Sequence, residues 1–176
     1  MTRTNPSISI ATATDIPALD RLVNSAYRGE SSKKGWTTEA DLLEGLRTDA
    51  DSLLQLMEES NSVILKYTGE TGLLEACIYL KNKGTELYLG MLTVSPELQA
   101  KGIGKKLLVA ADDYAKEKGC QSIVMTVISV RNELIAWYQR HGYNPTGATE
   151  PFPTDPKFGL PKQPLHFIVL EKSISK

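Results

Sequence analysis

The stretch LYLGMLTVSPELQAKGIGKKLL, residues 87–108, changes from an extended to a helical pattern and decides the fold. It predicts a strand over Glu86–Val94, then a helix over Gly102–Lys118. The first N–H groups of a helix have no intrahelical acceptor, and the helix dipole makes this end partly positive. Gly102 and Gly104 leave those donors open to a phosphate. The loop between strand and helix is therefore either a pyrophosphate cradle or a tight turn that needs glycine only for its backbone geometry.

The rest of the sequence predicts an α+β fold around this stretch. The predicted strands are 7–11, 63–67, 73–80, 86–94, 123–128 and 165–170. The predicted helices are one capped by Asp15, one capped by Thr38, and those over 52–59, 102–118 and 132–141. Together they predict a mixed, mostly antiparallel central sheet with helices on both faces. No linker or charge block interrupts the sequence, which predicts a single domain over residues 1–176.

Composition and charge exclude several classes of partner. The chain has 41% hydrophobic and 23% charged residues, and its formal net charge is −1. Nucleic acid binding needs clustered basic charge, so we expect no nucleic acid partner. No apolar run reaches membrane-spanning length and no signal peptide is evident, so we expect no membrane partner and a cytoplasmic location. Cys77 and Cys120 lie in apolar stretches, which favours buried reduced thiols. No His, Cys or Asp cluster has metal-ligand spacing, so we expect no metal.

Two motifs resemble those of the GNAT N-acetyltransferase superfamily. Its first signature is Gln/Arg-x-x-Gly-x-Gly/Ala between a strand and a helix, and Gln99, Gly102 and Gly104 match it. Its second is an Asn followed six residues later by Tyr and then by Gly-aromatic, which Asn132 and Tyr138 match, with Gly142-Tyr143 after them. The resemblance covers residues 60–145 and implies a GNAT-like fold and acetyl transfer from acetyl-CoA to an amine.

The resemblance also implies a role for individual residues. A strand distortion, placed here at Gly90, would open the backbone to the pantetheine arm of acetyl-CoA, the co-substrate. Asn132 would hydrogen-bond near the pantetheine or acetyl end. Tyr138 would be the general acid that protonates the departing CoA thiolate, or else an ordinary core aromatic. The pantetheine would pair with Leu92, Thr93 and Val94, and the pyrophosphate would lie against Gln99, Ala100, Lys101, Gly102, Ile103, Gly104 and Lys105.

The acceptor amine must lose a proton, and the resemblance leaves the base open. Relatives use a carboxylate on the strand before the cradle, but here that position falls on Tyr88, with Glu86 two residues earlier on the same face. Glu86 and Tyr88 are therefore both candidates, and Glu86 could equally be a solvated charge. His141 and His166, the latter assigned to an edge-like strand, are interpreted as structural.

Two polar segments are predicted to frame the acceptor. Residues 28–36 contain Glu30 and Trp36, which could receive a cation by charge and ring face, or form an ordinary polar loop. Residues 150–164 hold five of the nine prolines together with Phe152, and are predicted to form an irregular, stiffened cover. The expected partner is an amine substrate, and a homodimer stays open. An alternative function is a non-catalytic acyl-CoA-binding or sensing module, which would not need the acid Tyr138.

Overall fold

The computed structural model describes residues 7–27, 43–44, 48–99, 102–152, 160–162 and 164–174. The helices in these ranges are α1 (Ile16–Tyr27), α2 (Ala50–Glu58), α3 (Ile103–Glu117) and α4 (Asn132–Arg140). The strands are β1 (Ser7–Ile10), β2 (Leu43–Glu44), β3 (Ser62–Thr68), β4 (Leu74–Asn82), β5 (Glu86–Val94), β6 (Ser122–Ile128), β7 (Asn144–Pro151), β8 (Leu160–Pro161) and β9 (His166–Ser173). Two short 3-10 turns, Ala13–Asp15 and Pro96–Leu98, precede α1 and follow β5.

A seven-stranded sheet forms the centre, in the order β1–β3–β4–β5–β6–β9–β7. The β5–β6 pair is parallel, and every other pair of neighbours in this sheet is antiparallel. The crossover from β5 to β6 runs through α3, as a parallel connection requires. β2 and β8 form a separate two-stranded antiparallel sheet. The predicted mixed, mostly antiparallel sheet is confirmed.

Two buried clusters cover the two faces of the sheet. On one face, Leu107 and Ala111 of α3 pack with Leu87 and Leu89 of β5, all at most 2% exposed. On the other face, α1 and α2 pack against β3, β4 and β5 through residues that include Leu19, Val23, Leu53 and Ile64. Helices therefore lie on both faces, as the sequence predicted. Burying such side chains contributes about 1.5–3 kcal/mol each to folding.

Several sequence-based predictions about elements were wrong. Leu43, expected in a helix capped by Thr38, lies in β2 paired with β8, while Thr38 is outside the described residues. β9, which contains His166, is an interior strand between β6 and β7 and not an edge strand. Asp15 does not cap α1 directly. It ends the preceding 3-10 turn, and its carboxylate accepts the Thr12 N–H at 2.8 Å.

The predicted irregular cover begins as regular structure. β7 continues to Pro151 on the outer edge of the sheet, with all eight of its residues exposed. The sequence did not predict β7 because the strand contains Pro145 and Pro151. Proline has no backbone N–H to donate to a neighbouring strand, and an edge position tolerates this. Residues 153–159 of the cover lie outside the described residues.

Candidate active site

β5 and β6 separate at the middle of the sheet. Their parallel ladder covers only Glu86–Tyr88 against Ser122–Val124, although β5 continues to Val94 and β6 to Ile128. The fork therefore begins just after Tyr88. Its β5 side is Leu92, Thr93 and Val94, the residues predicted to meet the pantetheine arm.

A β-bulge bends β5 at the start of this fork. Tyr79 of β4 pairs with Gly90 and Cys77 pairs with Thr93, so two residues of β5 lie opposite one residue of β4. The distortion is at Met91, whose φ is +53°, one residue beyond the predicted Gly90. The Met91 carbonyl accepts the Thr93 hydroxyl at 3.0 Å. The bulge shifts the alternation by one, so Leu92 packs on the same side of the sheet as Leu89.

Gly90 does not form the bulge but allows the Tyr88 ring to approach the backbone closely. A Cβ built at Gly90 would be 3.0 Å from Cε1 and 3.2 Å from the hydroxyl oxygen of Tyr88. The Tyr88 ring therefore lies over the Gly90 backbone and leans along β5 towards the fork. The missing side chain at position 90 leaves room for this ring. Glycine serves close approach here, since its φ is not among the positive values.

Gly102 and Gly104 have different roles in the described part of the loop after β5. Gly102 is the N-cap of α3 with φ +86°, a conformation that strains other residues, and a Cβ there would meet nothing within 4 Å. A Cβ at Gly104 would be 3.3 Å from Cη2 and Cζ2 of Trp137. Gly102 therefore serves the turn, and Gly104 lets the indole of α4 lie against the first turn of α3. Ala100 and Lys101 lie outside the described residues.

One cavity joins the fork, the cradle and α4. Its volume is about 460 Å³. Of the residues that line it within the described part of the chain, four are basic in type and none is acidic. The lining residues are Ala26, Leu92, Thr93, Val94, Leu98, Gln99, Gly102, Gly104, Lys105, Arg131, Leu134, Trp137, Tyr138, Arg140 and His141. An apolar channel with cationic groups and a helix N-terminus suits a long ligand that is apolar in part and carries phosphates.

Tyr138 lies on the inner face of α4 and lines this cavity. Its side chain is 6% exposed and packs edge-on against Trp137 and Tyr143, with ring centroids 5.1 and 5.9 Å apart. Tyr143 is fully buried and packs against the far side of the Tyr138 ring. Burial raises the pKa of the Tyr143 hydroxyl. The Tyr138 ring is thus held in place by aromatic packing.

The two candidates for the base occupy different places. Glu86 is exposed at the closed end of the β5–β6 ladder, beside Ser122. Tyr88 is half-buried at the last paired position before the fork, and its ring lies edge-on to that of Tyr79 at 6.2 Å. The Tyr79 hydroxyl donates to the Glu59 carboxylate at 2.5 Å, and this hydrogen bond lowers the pKa of Glu59. Of the two, Tyr88 is the one beside the fork.

The remaining predicted residues are dispersed. Asn132 is exposed at the start of α4 and does not line the cavity, whereas its buried neighbour Arg131 does. The Ile103 side chain belongs to the core, so only its backbone can serve the cradle. Phe152 stacks on Phe167 of β9 at 5.3 Å. Glu30 and Trp36 lie outside the described residues.

Sequence reasoning missed most of the α4 side of the cavity. Arg131, Leu134, Trp137, Arg140 and His141 line it together with Tyr138. A signal was present, because these positions repeat at intervals of three and four and so share one face of a helix. The sequence could not show that this face turns towards the cradle, since the packing of Trp137 on Gly104 joins distant parts of the chain. His141, interpreted as structural, is a lining residue.

The described residues contain neither a metal-binding cluster nor a membrane-spanning helix. Among the described residues, no group of three or more His, Cys, Asp or Glu side chains could hold a metal ion. No helix within those same ranges is long and apolar enough to cross a membrane. Cys77 and Cys120 are buried and are not joined in a disulfide.

Comparison with known proteins bears on this site. The acetyltransferase (GNAT) family model matches residues 19–143. The ribosomal-protein-S18-alanine N-acetyltransferase from Escherichia coli superposes with a TM-score of 0.72 at 17% identity, covering 97% of this chain and 95% of that one. Ard1 from Thermoplasma volcanium gives 0.71 at 18% identity, covering 98% and 100%. The PaiA N-acetyltransferase from Thermoplasma acidophilum in complex with coenzyme A gives 0.67 at 18%, covering 97% and 99%. No curated protein sequence matches this chain.

At such identities the structural likeness shows a shared fold. The family model covers well over half of the chain and includes the fork, the cradle and Tyr138. The chain therefore belongs to the GNAT acetyltransferase family.

Proposed function

We propose that this protein transfers the acetyl group of acetyl-CoA to a primary amine by direct attack in a ternary complex. The observation that carries the proposal is the single cavity that joins the N-terminus of α3, the β5–β6 fork and Tyr138. The N-terminus of α3 can bind an anion, the fork can hold an extended chain, and Tyr138 supplies a phenol. A pyrophosphate, a pantetheine arm and a thioester follow one another in the same order along acetyl-CoA. We take one domain over residues 1–176 to carry this function.

The residues present fit acetyl-CoA. Lys105 and the first N–H groups of α3 would hold the pyrophosphate, because both favour negative charge. Leu92, Thr93 and Val94 offer a strand edge past the bulge, to which the pantetheine amides can pair as an added strand does. The coenzyme A bound to the Thermoplasma acidophilum relative supports the same ligand here.

The chemistry needs a proton removed from the amine and a proton given to the thiolate. Tyr138 would give its phenolic proton to the sulfur as the carbon–sulfur bond breaks. On the other face of the sheet, the Tyr88 hydroxyl at the fork would orient a water that takes the ammonium proton and passes it to the bulk solvent, from which Tyr138 regains a proton after the thiol leaves. Glu86 is the second candidate for that step. The amine nitrogen then attacks the acetyl carbon, and the amide and the free thiol leave.

The decisive experiment measures thiol release from acetyl-CoA across a panel of small amines and peptide N-termini. Acetylated product should form with at least one acceptor above the hydrolysis rate without amine. The alternative, a non-catalytic acyl-CoA-binding or sensing module, predicts tight acetyl-CoA binding without thiol release for any acceptor. Calorimetry with acetyl-CoA on the same preparation separates the two outcomes.

A further inference from the structure

The cavity passes through the sheet at the fork. Gly104 and Lys105 of α3 line it from one face of the sheet. Ala26, near the end of α1, lines it from the side of the other face, on which α1 packs. An acetyl group carried through the fork would therefore meet its acceptor on the α1 side.

Arg131 lies at this fork, shortly after β6. Its N–H donates to the carbonyl of Ile128, the last residue of β6, at 3.0 Å. Its own carbonyl accepts the Ile135 N–H at 3.0 Å as α4 begins, so the backbone of Arg131 is held on both sides. The residue lines the cavity and is 4% exposed, and no other charged residue in the described part of the chain is buried.

The place of Arg131 on α4 relates it to the thioester end of the cavity. Seven residues, close to two helical turns, separate Arg131 from Tyr138, so both lie on the same face of the helix, about 10 Å apart along its axis. Trp137, which lies against Gly104 of the cradle, is on a different side of α4. The pantetheine arm and the acetyl group carry no charge. The proposed donor therefore offers Arg131 no anion on this face.

The charge of the cavity favours an anionic group on the acceptor. None of the described lining residues is acidic, and the basic ones are Lys105, Arg131, Arg140 and His141. A bare ammonium would be repelled in these surroundings, whereas a carboxylate beside the amine supplies the complementary charge. A guanidinium binds a carboxylate through two parallel, charge-assisted hydrogen bonds, which also fix the orientation of the ligand.

We propose that Arg131 binds the carboxylate of the acceptor and that this acceptor is a free α-amino acid. The inference rests on the proposed function and narrows its primary amine to this class. With the carboxylate held by Arg131, the neighbouring amine lies towards the thioester at Tyr138. Its nitrogen bonds to the acetyl carbon as the carbon–sulfur bond breaks, with the proton movements described above. The products are an N-acetyl amino acid and free CoA, and the carboxylate is unchanged.

The test compares the standard L-amino acids with their carboxamides, which have nearly the same shape but no negative charge. Thiol release from acetyl-CoA by the full chain should give a kcat/KM at least roughly tenfold higher for the best amino acid than for its amide, the scale of a hydrogen bond to a charged group. Arg131→Gln should lose most of this ratio. Arg131→Lys keeps the charge without the paired geometry and should retain part of it. Calorimetry should show little change in acetyl-CoA affinity for either variant.

Arg140→Gln is the matched control, because it removes one positive charge from the same cavity at the other end of α4. It should keep the wild-type ratio between amino acid and amide. Each ratio is taken between two acceptors on one preparation, so a loss of folded protein in a variant cancels. If Arg131→Gln does not fold, the wild-type ratio and Arg131→Lys carry the test.

Each outcome supports or overturns the inference. A wild type that acetylates amides or simple amines as well as amino acids would overturn it and leave the proposed function standing. A ratio that survives in Arg131→Gln, or a matching fall in acetyl-CoA affinity, would remove Arg131 from acceptor binding. Absence of thiol release with every acceptor would contradict the proposed function and this inference together.

Discussion

Tyr138 is the residue on which the proposed chemistry depends most directly. Tyr138→Phe keeps the ring packed between Trp137 and Tyr143 but removes the proton donor. We expect kcat to fall by roughly 10²-fold, the usual scale for loss of a general acid, with little change in acetyl-CoA affinity. Steady-state kinetics with the best amine and calorimetry measure the two quantities. Tyr114→Phe, a change at a half-buried tyrosine of α3 outside the cavity lining, should be silent. An unchanged kcat in Tyr138→Phe would assign the proton to water.

Removal of the amine proton involves either Tyr88, through a water that it orients, or Glu86, and variants of the two residues separate these possibilities. Tyr88→Phe should lower kcat/KM, because the hydroxyl leans over Gly90 towards the fork. The deficit should be largest at neutral pH, where an aliphatic amine with a pKa near 10.4 is almost wholly protonated, and should shrink as pH rises. Glu86→Gln should change little, since that carboxylate is exposed at the closed end of the ladder. A pH–rate profile for each variant measures this. The reverse pattern would make Glu86 the base.

At the scale of elements, the N-terminus of α3 can be tested with a pair of variants that differ only in charge. Gly102 has a positive φ, which Asn and Asp tolerate better than other residues, and a Cβ there would meet nothing within 4 Å. Gly102→Asp places a carboxylate at the N-cap, where it favours the helix but repels a pyrophosphate. Gly102→Asn has the same shape without the charge.

We expect Gly102→Asp to bind acetyl-CoA at least about tenfold more weakly than Gly102→Asn, the effect of one unfavourable charge at a phosphate site. Its thermal stability should equal or exceed that of Gly102→Asn. Calorimetry and melting curves on both proteins give the comparison. If both bind acetyl-CoA equally well, the loop is only a strand–helix turn.

Sequence patterns predicted the elements that depend on neighbouring residues and missed those that depend on contacts between distant parts of the chain. β5 and α3 follow from alternation, helical spacing and the glycines between them, and both were predicted to within one residue. The bulge lies at Met91 and not at Gly90, because its position depends on the pairing of β5 with β4. β2 is two residues long and exists through its pairing with β8 alone. No periodicity in the neighbourhood of Leu43 encodes that pairing.

The candidate site shows the same division. The turn before α3 was predictable, because Gly102 carries the requirement for a positive φ in its own identity. The α4 wall of the site was not, because the contact between Trp137 and Gly104 joins two motifs through tertiary packing. The acceptor side remains a prediction, since Glu30 and Trp36 lie outside the described residues.

At the scale of the whole molecule, the α1–α2 face of the sheet carries two anchored carboxylates. Asp15 accepts both contacts from Lys66 at 3.0 Å, and Glu59 accepts from Tyr79 and Lys81. The Tyr79 hydrogen bond is the largest cause that lowers the pKa of Glu59. For Asp15, burial opposes the shift, but the Thr12 N–H and Lys66 together outweigh it and lower the pKa. Both groups are therefore more acidic in the folded protein than in the unfolded chain.

This difference sets how stability depends on pH. A carboxyl whose pKa is lowered by folding stabilises the protein above its unfolded pKa, here about 4.5 for Glu59. Below that value the unfolded chain binds the proton first, so the free energy of unfolding should fall as pH falls towards 3. Tyr79→Phe removes the main cause of the Glu59 shift. It should cost about 1 kcal/mol at pH 7, the net worth of one hydrogen bond.

The two proteins should converge at acid pH, because protonated Glu59 no longer gains from the Tyr79 hydroxyl as a charged acceptor. Urea denaturation at several pH values between 3 and 7 measures both curves. Tyr114→Phe again serves as the control and should follow the wild type throughout. Curves displaced by the same amount at every pH would show that the Tyr79 hydroxyl stabilises the fold independently of the charge of Glu59. In that case Asp15 and Lys66 would account for the acid sensitivity of this face.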